Sequence, residues 1–505
     1  MRRVVAVASL LALAGCGSTV QLSGTTAGSG GSGLDSTNLL GTVPTSAPIA
    51  SAAPTGAVSP RLGAPGTASS VGGDSSAGSS DASSTGGPSA ARASSDAITL
   101  KGITPTTISV GINWADTAAT NAAVSGTGAN GSKAGDMLAE QRAVAAWINS
   151  HGGIAGRKIV LVEHQQNIND DSATAAQKMC ADWTQDHHVV AGLGAVAAIG
   201  AATGIECLTK AKTLSIGASY DVGSKRSFDA YRPFYYSPAS VEMTAVGDAY
   251  ATGLSRQGFF PKGAKIGLLV YDAPEFRDGV ANGLVPALKR SGLSLKDLTW
   301  ITPPSALSDE GRLVADIQSA VLKYRSDGVT HVLFMDGNSS ITYFFIQQAK
   351  SQSYRPAYGF STLSYTSFVQ SNFKASDLHG SLGVGWMPSM DVDIAHLPSN
   401  PARTLCQSIM KQAGQSAVAE TDLTLQLTFC SQFFFLKAAL EKAPQLTPEG
   451  FQAGVAALGR TSYTAALGFN DTYSPTKHWG SSEYRAIKYV DACSCFQYYG
   501  PANPI

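Results

Sequence analysis

Ala145-Ala146-Trp147-Ile148-Asn149-Ser150-His151-Gly152-Gly153-Ile154-Ala155-Gly156-Arg157-Lys158-Ile159-Val160-Leu161-Val162-Glu163 passes from one backbone period to another within a few residues. Upstream, residues 135–149 carry apolar side chains at helical spacing, with Met137, Leu138, Val144, Ala145 and Ile148 marking one buried stripe. Gly152-Gly153 stops that helix, because glycine enters the left-handed backbone region without the steric penalty of other residues. Gly156 permits the tight turn that follows, and residues 157–163 read as a strand.

The same step recurs on both sides. Strands are predicted at residues 107–112, 189–193 and 213–216, with helices at 172–185 and 199–211. A loop holding Trp114 and Asp116 follows the first strand. The rhythm restarts near Val241, with helices at 244–257, 276–291, 310–325 and 341–351. Strands at 265–271, 297–301, 329–335, 357–360 and 382–386 alternate with them or follow them. This alternation predicts an α/β protein of two doubly wound parallel-sheet lobes built from right-handed crossovers. In open sheets of this type ligands bind beyond the carboxyl ends of the strands, so the natural site is the cleft between the lobes.

Composition narrows the function classes. Lys and Arg number 36, as do Asp and Glu, so no basic excess points to nucleic acid as a partner. The hydrophobic content of 44 % is that of an ordinary globular protein, and residues 98–505 suffice for two packed domains. No Gly-x-Ser-x-Gly elbow, P-loop or His-Glu-x-x-His motif occurs, and Gly192-x-Gly194 lacks the third glycine of a dinucleotide fingerprint. The adjacent carboxylates Asp170-Asp171 and Asp309-Glu310 read as helix starts rather than acid/base pairs. Neither an enzyme nor a cofactor is expected. The absence of Cys-x2-Cys or Cys/His clusters argues against a metal site, and His187-His188 reads as solvated turn.

The N-terminus indicates compartment. Arg2-Arg3 precedes a short apolar run, residues 4–13, about half the length that spans a bilayer, and the segment has the form of an export signal. Leu13-Ala14-Gly15-Cys16 resembles the lipobox of bacterial lipoproteins, which implies removal of residues 1–15 and a lipid on Cys16. Each buried methylene of that lipid contributes about 0.8 kcal/mol to membrane attachment. Residues 16–97 are then a Gly/Ser/Ala/Thr/Pro tether without an aromatic residue, too poor in apolar surface to offset ordering entropy. Its r.m.s. span is on the order of 50 Å. The expected location is the extracytoplasmic face of the cell membrane. With Cys16 set aside, Cys180, Cys207, Cys406, Cys430, Cys493 and Cys495 enter an oxidising compartment where disulfides persist. Six cysteines allow about fifteen connectivities. Pairing by neighbourhood joins Cys180 to Cys207, Cys406 to Cys430 and Cys493 to Cys495, the last across a very tight loop.

Residues 145–159 resemble the Asn…Gly-Gly…Gly signature of type I periplasmic binding proteins, a group that includes the leucine/isoleucine/valine-binding solute receptors of ABC importers. Matches follow in order at residues 189–194, at 266–271 leading into Phe276-Arg277-Asp278-Gly279, and at Gly383-Val384-Gly385-Trp386. Gly468-Phe469-Asn470-Asp471 and the strand at 484–490 complete a resemblance covering nearly all of residues 104–505. It implies three crossings between lobes, with residues 104–236 and 389–468 in one and 237–388 and 469–505 in the other. It also implies hinge closure on a small molecule.

The resemblance further implies a pocket. Where the family places serines after the third strand, this chain has Gly194-Ala195-Val196-Ala197-Ala198-Ile199, leaving the backbone amides of Ala195 and Ala197. Ser219 stands where the family has a Thr or Ser ligand, with Tyr220 beside it. Trp114, Tyr271 and Phe276 are candidate stacking surfaces, and Asp336 faces the cleft by topology. The family's acidic acceptor of an amino group is replaced by Ser361-Thr362-Leu363, so Asp116, Asp272 or Asp336 is left to neutralise an ammonium.

These readings describe a lipid-anchored solute-binding protein that closes on an amino acid, an amide or a less polar compound and presents it to an ABC permease. Two other classes share the fold: a ligand-sensing lipoprotein signalling to a membrane receptor, and a scaffold that has lost its ligand. The scaffold predicts a filled cleft.

Overall fold

Asp136 opens the helix Met137–Ser150 by accepting the Ala139 N–H at 3.0 Å, and the apolar stripe Met137, Val144, Ala145, Ile148 is buried. At its end Gly152 and Gly153 have φ of 94° and 69°, and a Cβ on Gly153 would lie 2.0 Å from the Arg157 carbonyl oxygen. Only glycine fits there. Asn149 then clamps helix to strand: its amide donates to the Ile159 carbonyl at 3.0 Å and accepts the Ile159 N–H at 2.7 Å. The stretch that decides the fold therefore makes its turn through backbone geometry and one side-chain amide.

The structure, a computed structural model, describes residues 99–126, 133–194, 201–219 and 221–505. The export signal, Cys16 and the tether lie outside the described residues, as do Ala195, Ala197 and Tyr220. The first sheet has the order β2-β1-β3-β4-β5 and is wholly parallel, with β1 Thr107–Ala115, β2 Lys158–Gln166, β3 Ala191–Leu193, β4 Leu214–Ile216 and β5 Tyr235–Tyr236. The second contains β6 Ile266–Tyr271, β7 Leu295–Ile301, β8 His331–Met335, β9 Ala357–Ser361 and β10 Leu382–Gly385, all parallel. A short pair, β11 Arg460–Thr461 and β12 Asp471–Thr472, lies apart from it. β13 Glu483–Val490 and β14 Cys495–Pro504 extend the second sheet antiparallel, giving the order β14-β13-β10-β9-β8-β6-β7. Every residue of β6 and β8 is buried, as expected of parallel strands covered by helices on both faces.

The chain leaves the first sheet after β5 and builds the second through β10. It returns in the helices Pro401–Gln412 and Glu420–Lys442, which pack with Met137–Ser150, and then crosses to β13. Glu420–Lys442 is long and apolar enough to span a bilayer, but 83 % of its apolar window is buried within the protein. All three neighbour pairings of cysteine form. Cys180–Cys207 and Cys406–Cys430 each join two helices, and Cys493–Cys495 closes the turn between β13 and β14.

The elements differ from expectation in four places, the first being a helix, Thr117–Gly126, within the stretch after the first strand that was expected to be loop. β1 continues to Ala115, because Trp114 pairs with Gln165 and Ala115 with Gln166, so Trp114 belongs to a strand and not to a loop. The helix from Ser172 relaxes into a π-turn at Asp182–Asp186. The helix at Phe276 starts earlier, at Pro274, and carries a π-turn at Gly279–Leu284. There the backbones nearly touch: a Cβ on Gly283 would lie 2.2 Å from the Thr244 carbonyl oxygen of Met243–Arg256. Asp171 caps its helix, and Asp309 accepts the N–H of Ser305 at 2.7 Å and that of Ala306 at 3.3 Å.

A candidate ligand-binding cleft

The carboxyl ends of β4 and β5 face those of β6 and β7 across a cavity of about 350 Å3. One wall is built from Ile205, Val222, Ser224, Tyr231 and Tyr235, the other from Tyr271, Ala273, Glu275, Phe276 and Pro303. Its size and its mostly apolar lining are those of a small-molecule site.

The rims meet. Arg226 Nη2 and Asp278 Oδ1 are 2.6 Å apart across the mouth, and the Ser172 N–H donates to the Ser305 carbonyl at 2.9 Å. In the loop after β8, a Cβ on Gly337 would lie 3.5 Å from Val222 Cγ1 and 3.7 Å from Phe276 Cζ. The loop after β4 is held from below by Gln432 of Glu420–Lys442, whose amide donates to the carbonyls of Ile216 at 3.1 Å and Gly217 at 3.2 Å.

Of the residues singled out from sequence, Tyr271 and Phe276 form the wall together, ring edge to face with centroids 6.1 Å apart. Burial and the Asp336 charge hold the Tyr271 hydroxyl protonated, well above the usual tyrosine range. Ser219 is buried in the loop after β4, and its hydroxyl has no hydrogen-bond partner among the described residues. Ser361 is fully buried at the end of β9, outside the cavity lining. Trp114 packs instead against the cluster of Ala115, Ala134, Met137 and Phe429.

Of the three carboxylates offered for an ammonium, two are engaged elsewhere, and Asp336 is engaged through one oxygen, its Oδ1 having no partner among the described residues. Asp116 accepts the Ala119 N–H at 2.7 Å at a helix start, and Asp272 pairs with Arg277 at 2.6 Å. Asp336, 1 % exposed, accepts the Thr342 N–H at 3.0 Å and so caps the helix Ser340–Ser351. Burial pushes its pKa up to about 7.

Sequence reasoning missed one of the two acids that line the cavity, the other being Asp278. Glu275 sits on its wall beside Phe276, and burial raises its pKa. Behind the opposite wall, Asp221 accepts the Tyr235 hydroxyl at 2.7 Å, and Phe228 stacks on the Tyr235 ring at 4.7 Å. Burial, offset by that hydrogen bond, pushes Asp221 up to about 6, and the Glu275 charge adds to the rise. The available signal was adjacency: Asp221 lies two residues beyond Ser219, and Glu275 directly precedes Phe276.

Two doubly wound lobes closing over a cavity at the carboxyl ends of their strands define a bilobed binding protein. The periplasmic binding protein family model matches residues 118–492, and the chain belongs to that family, type I. No curated protein sequence matches it significantly. Among solved structures, an ABC transporter substrate-binding protein of Desulfitobacterium hafniense in complex with Leu is 14 % identical. Its TM-score is 0.53, with coverage of 78 % of this chain and 100 % of that one. A fatty acid ABC transporter substrate-binding protein of Thermomonospora curvata is 16 % identical at TM-score 0.53, covering 81 % of this chain and 94 % of that one. A solute-binding protein of R. palustris in complex with 4-hydroxybenzoate is 13 % identical at TM-score 0.56, covering 79 % and 97 %. At these identities the likeness is one of fold.

Proposed function

We propose that the chain is an extracytoplasmic solute-binding protein, tethered through lipid on Cys16, that closes on a small molecule and delivers it to an ABC permease. Residues 1–15 are its export signal, 16–97 its tether and 98–505 its bilobed binding domain, which performs no catalysis. The lobes comprise residues 104–236 with 389–468, and 237–388 with 469–505. The observation that carries this reading is the cavity of about 350 Å3, walled by Tyr231 and Tyr235 from one side and Tyr271 and Phe276 from the other. A two-sided cavity of this size beneath joined rims favours a ligand over a scaffold with a filled cleft.

The ligand class follows from the wall. Aromatic faces accept an apolar or ring-shaped body, and Glu275 accepts a hydrogen-bond donor or an ammonium at one edge. Ser219, whose hydroxyl has no partner among the described residues, and the amides of Ala195 and Ala197 are proposed as further polar contacts, with Tyr220 beside them; Trp114, Asp336 and Ser361 lie outside the cavity lining and are not proposed as contacts. Ligand shifts the lobes toward closure only by its differential affinity for the closed form, which the permease then reads at the rims.

Thermal unfolding of the full chain against amino acids, amides, amines and aromatic acids tests the reading. A ligand at a hundredfold excess over Kd adds about 2.7 kcal/mol of stability, a visible rise in Tm. Silence across the panel, with no small molecule released from the purified protein on denaturation, would sink it.

A further inference from the structure

The turn between β13 and β14 carries Cys493-Ser494-Cys495, and the short turn Ile394–His396 brings His396 against it. The two sulfurs and a His396 ring nitrogen lie within 4.8 Å of one another, with Nε2 4.0 Å from Cys495 Sγ. The other ring nitrogen, Nδ1, is 2.6 Å from Asp393 Oδ1. A carboxylate on Nδ1 fixes the tautomer that leaves the Nε2 lone pair aimed outward, the arrangement that supports metal-bound histidines. Gln497 donates its amide to both sulfurs at 3.5 Å.

The bridge itself adds little to the fold. It spans a sequence separation of 2, against 27 and 24 for the other two disulfides, so it restrains far less of the unfolded chain. It is also the reachable one. Cys493 is exposed, whereas Cys207 is partly buried and Cys180, Cys406 and Cys430 are fully buried.

We propose that Cys493, Cys495 and His396 form a redox-gated site for one thiophilic metal ion, outside the ligand cleft. In the oxidised protein the sulfurs are bonded to each other and offer no thiolate. An external dithiol attacks the exposed Cys493 sulfur, forms a mixed disulfide and expels Cys495 as a thiol. The second thiol of the reductant then releases Cys493 and leaves as a cyclic disulfide. Two electrons and two protons pass to the protein, and no other bond changes. A Zn2+ ion then displaces the two thiol protons and takes two thiolates and the His396 imidazole, a three-ligand set with an open fourth position. The constellation eluded sequence reasoning because His396 and Cys495 are 99 residues apart.

The test uses the full-length chain carrying Cys16→Ser, reduced with a water-soluble phosphine under native conditions, desalted without oxygen and titrated with Zn2+ against a chromophoric chelator. Alkylation should find two new thiols, at Cys493 and Cys495, and the reduced chain should bind one Zn2+ while the oxidised chain binds none. Co2+ in place of Zn2+ should give thiolate-to-metal charge-transfer absorption. Cys493→Ser should abolish that absorption. His396→Ala should weaken Zn2+ binding at least tenfold, and Asp393→Asn by about 10- to 100-fold. Both variants should keep the thermal unfolding midpoint of the oxidised parent. Equal uptake by oxidised and reduced chains, no uptake by the reduced chain, or wild-type affinity in His396→Ala would each overturn the proposal.

Discussion

Arg226 Nη2 and Asp278 Oδ1 meet at 2.6 Å, an ion pair that joins the two rims of the cleft at its mouth. The Arg226 side chain is 75 % exposed and that of Asp278 14 %, so the pair is partly screened by solvent; under the proposed function it would hold the rims together when the lobes close. Exposed pairs contribute about 0.2–1 kcal/mol. Arg226→Ala should therefore weaken ligand binding by up to about fivefold, with most of the effect lost at high salt. Calorimetric titration at two ionic strengths measures this. An unchanged Kd at low salt would show that closure does not use the pair.

Glu275 lines the cavity, as does Asp278 in its pair with Arg226, and Glu275→Gln keeps the side chain's shape while removing its charge. For an ammonium-bearing ligand, affinity should fall about tenfold, or about 1.4 kcal/mol. A neutral ligand should bind the variant as it binds the parent. Comparing the two ligand types by titration separates a charge-reading wall from one that only packs.

Buried carboxyls give the fold an acid-side stability optimum. Asp221 is pushed up to about 6 and Asp336 up to about 7, both chiefly by burial. A folded-state pKa above the unfolded value of about 3.9 means that the native state binds more protons between the two. Stability therefore falls as pH rises through this window, from about 4 to about 7. Unfolding midpoints should be higher near pH 5 than near pH 8. Asp336→Asn, which keeps an acceptor for the Thr342 N–H, should flatten part of that slope.

Lys477 organises the segment that leads into β13. Its three ammonium N–H groups are shared among the carbonyls of Thr472, Trp479, Gly480 and Ser481, which lie at 2.8 to 3.1 Å. Lys477→Met keeps the stem but removes three donors from this cluster of carbonyls, each group left unpaired costing about 1–3 kcal/mol if it stays dry. Water entry will limit the loss, so a fall of a few kcal/mol in urea unfolding is expected, with faster amide exchange confined to residues 470–482. A variant as stable as the parent would show that the turn holds itself.

Much of the fold was legible residue by residue. The helix ending at Gly152-Gly153 and the strand after it are dictated by a left-handed backbone that only glycine tolerates at position 153. The continuous burial of β6 and β8 is written in their apolar runs. At the site, Tyr271 and Phe276 were legible because the family resemblance implies an aromatic residue after this strand, whose carboxyl end faces the cleft. Trp114 was misplaced because a strand's length depends on its partner: β2 carries pairing on to Ala115 beyond the local pattern. The roles of Asp116, Asp272 and Asp336 were illegible because capping and ion pairing claim a carboxylate before a ligand can.

The sequence alone determined the alternation of helix and strand, the lobes' open sheets and the helix starts, since these rest on backbone preferences that act within a few residues. Its cysteines form the three nearest-neighbour pairs. Tertiary structure decided which groups face each other. Gln432 reaches Ile216 across 216 positions, Arg226 meets Asp278 across 52, and His396 meets Cys495 across 99. Those meetings are set by how the crossovers return the chain, and no local energy term records them.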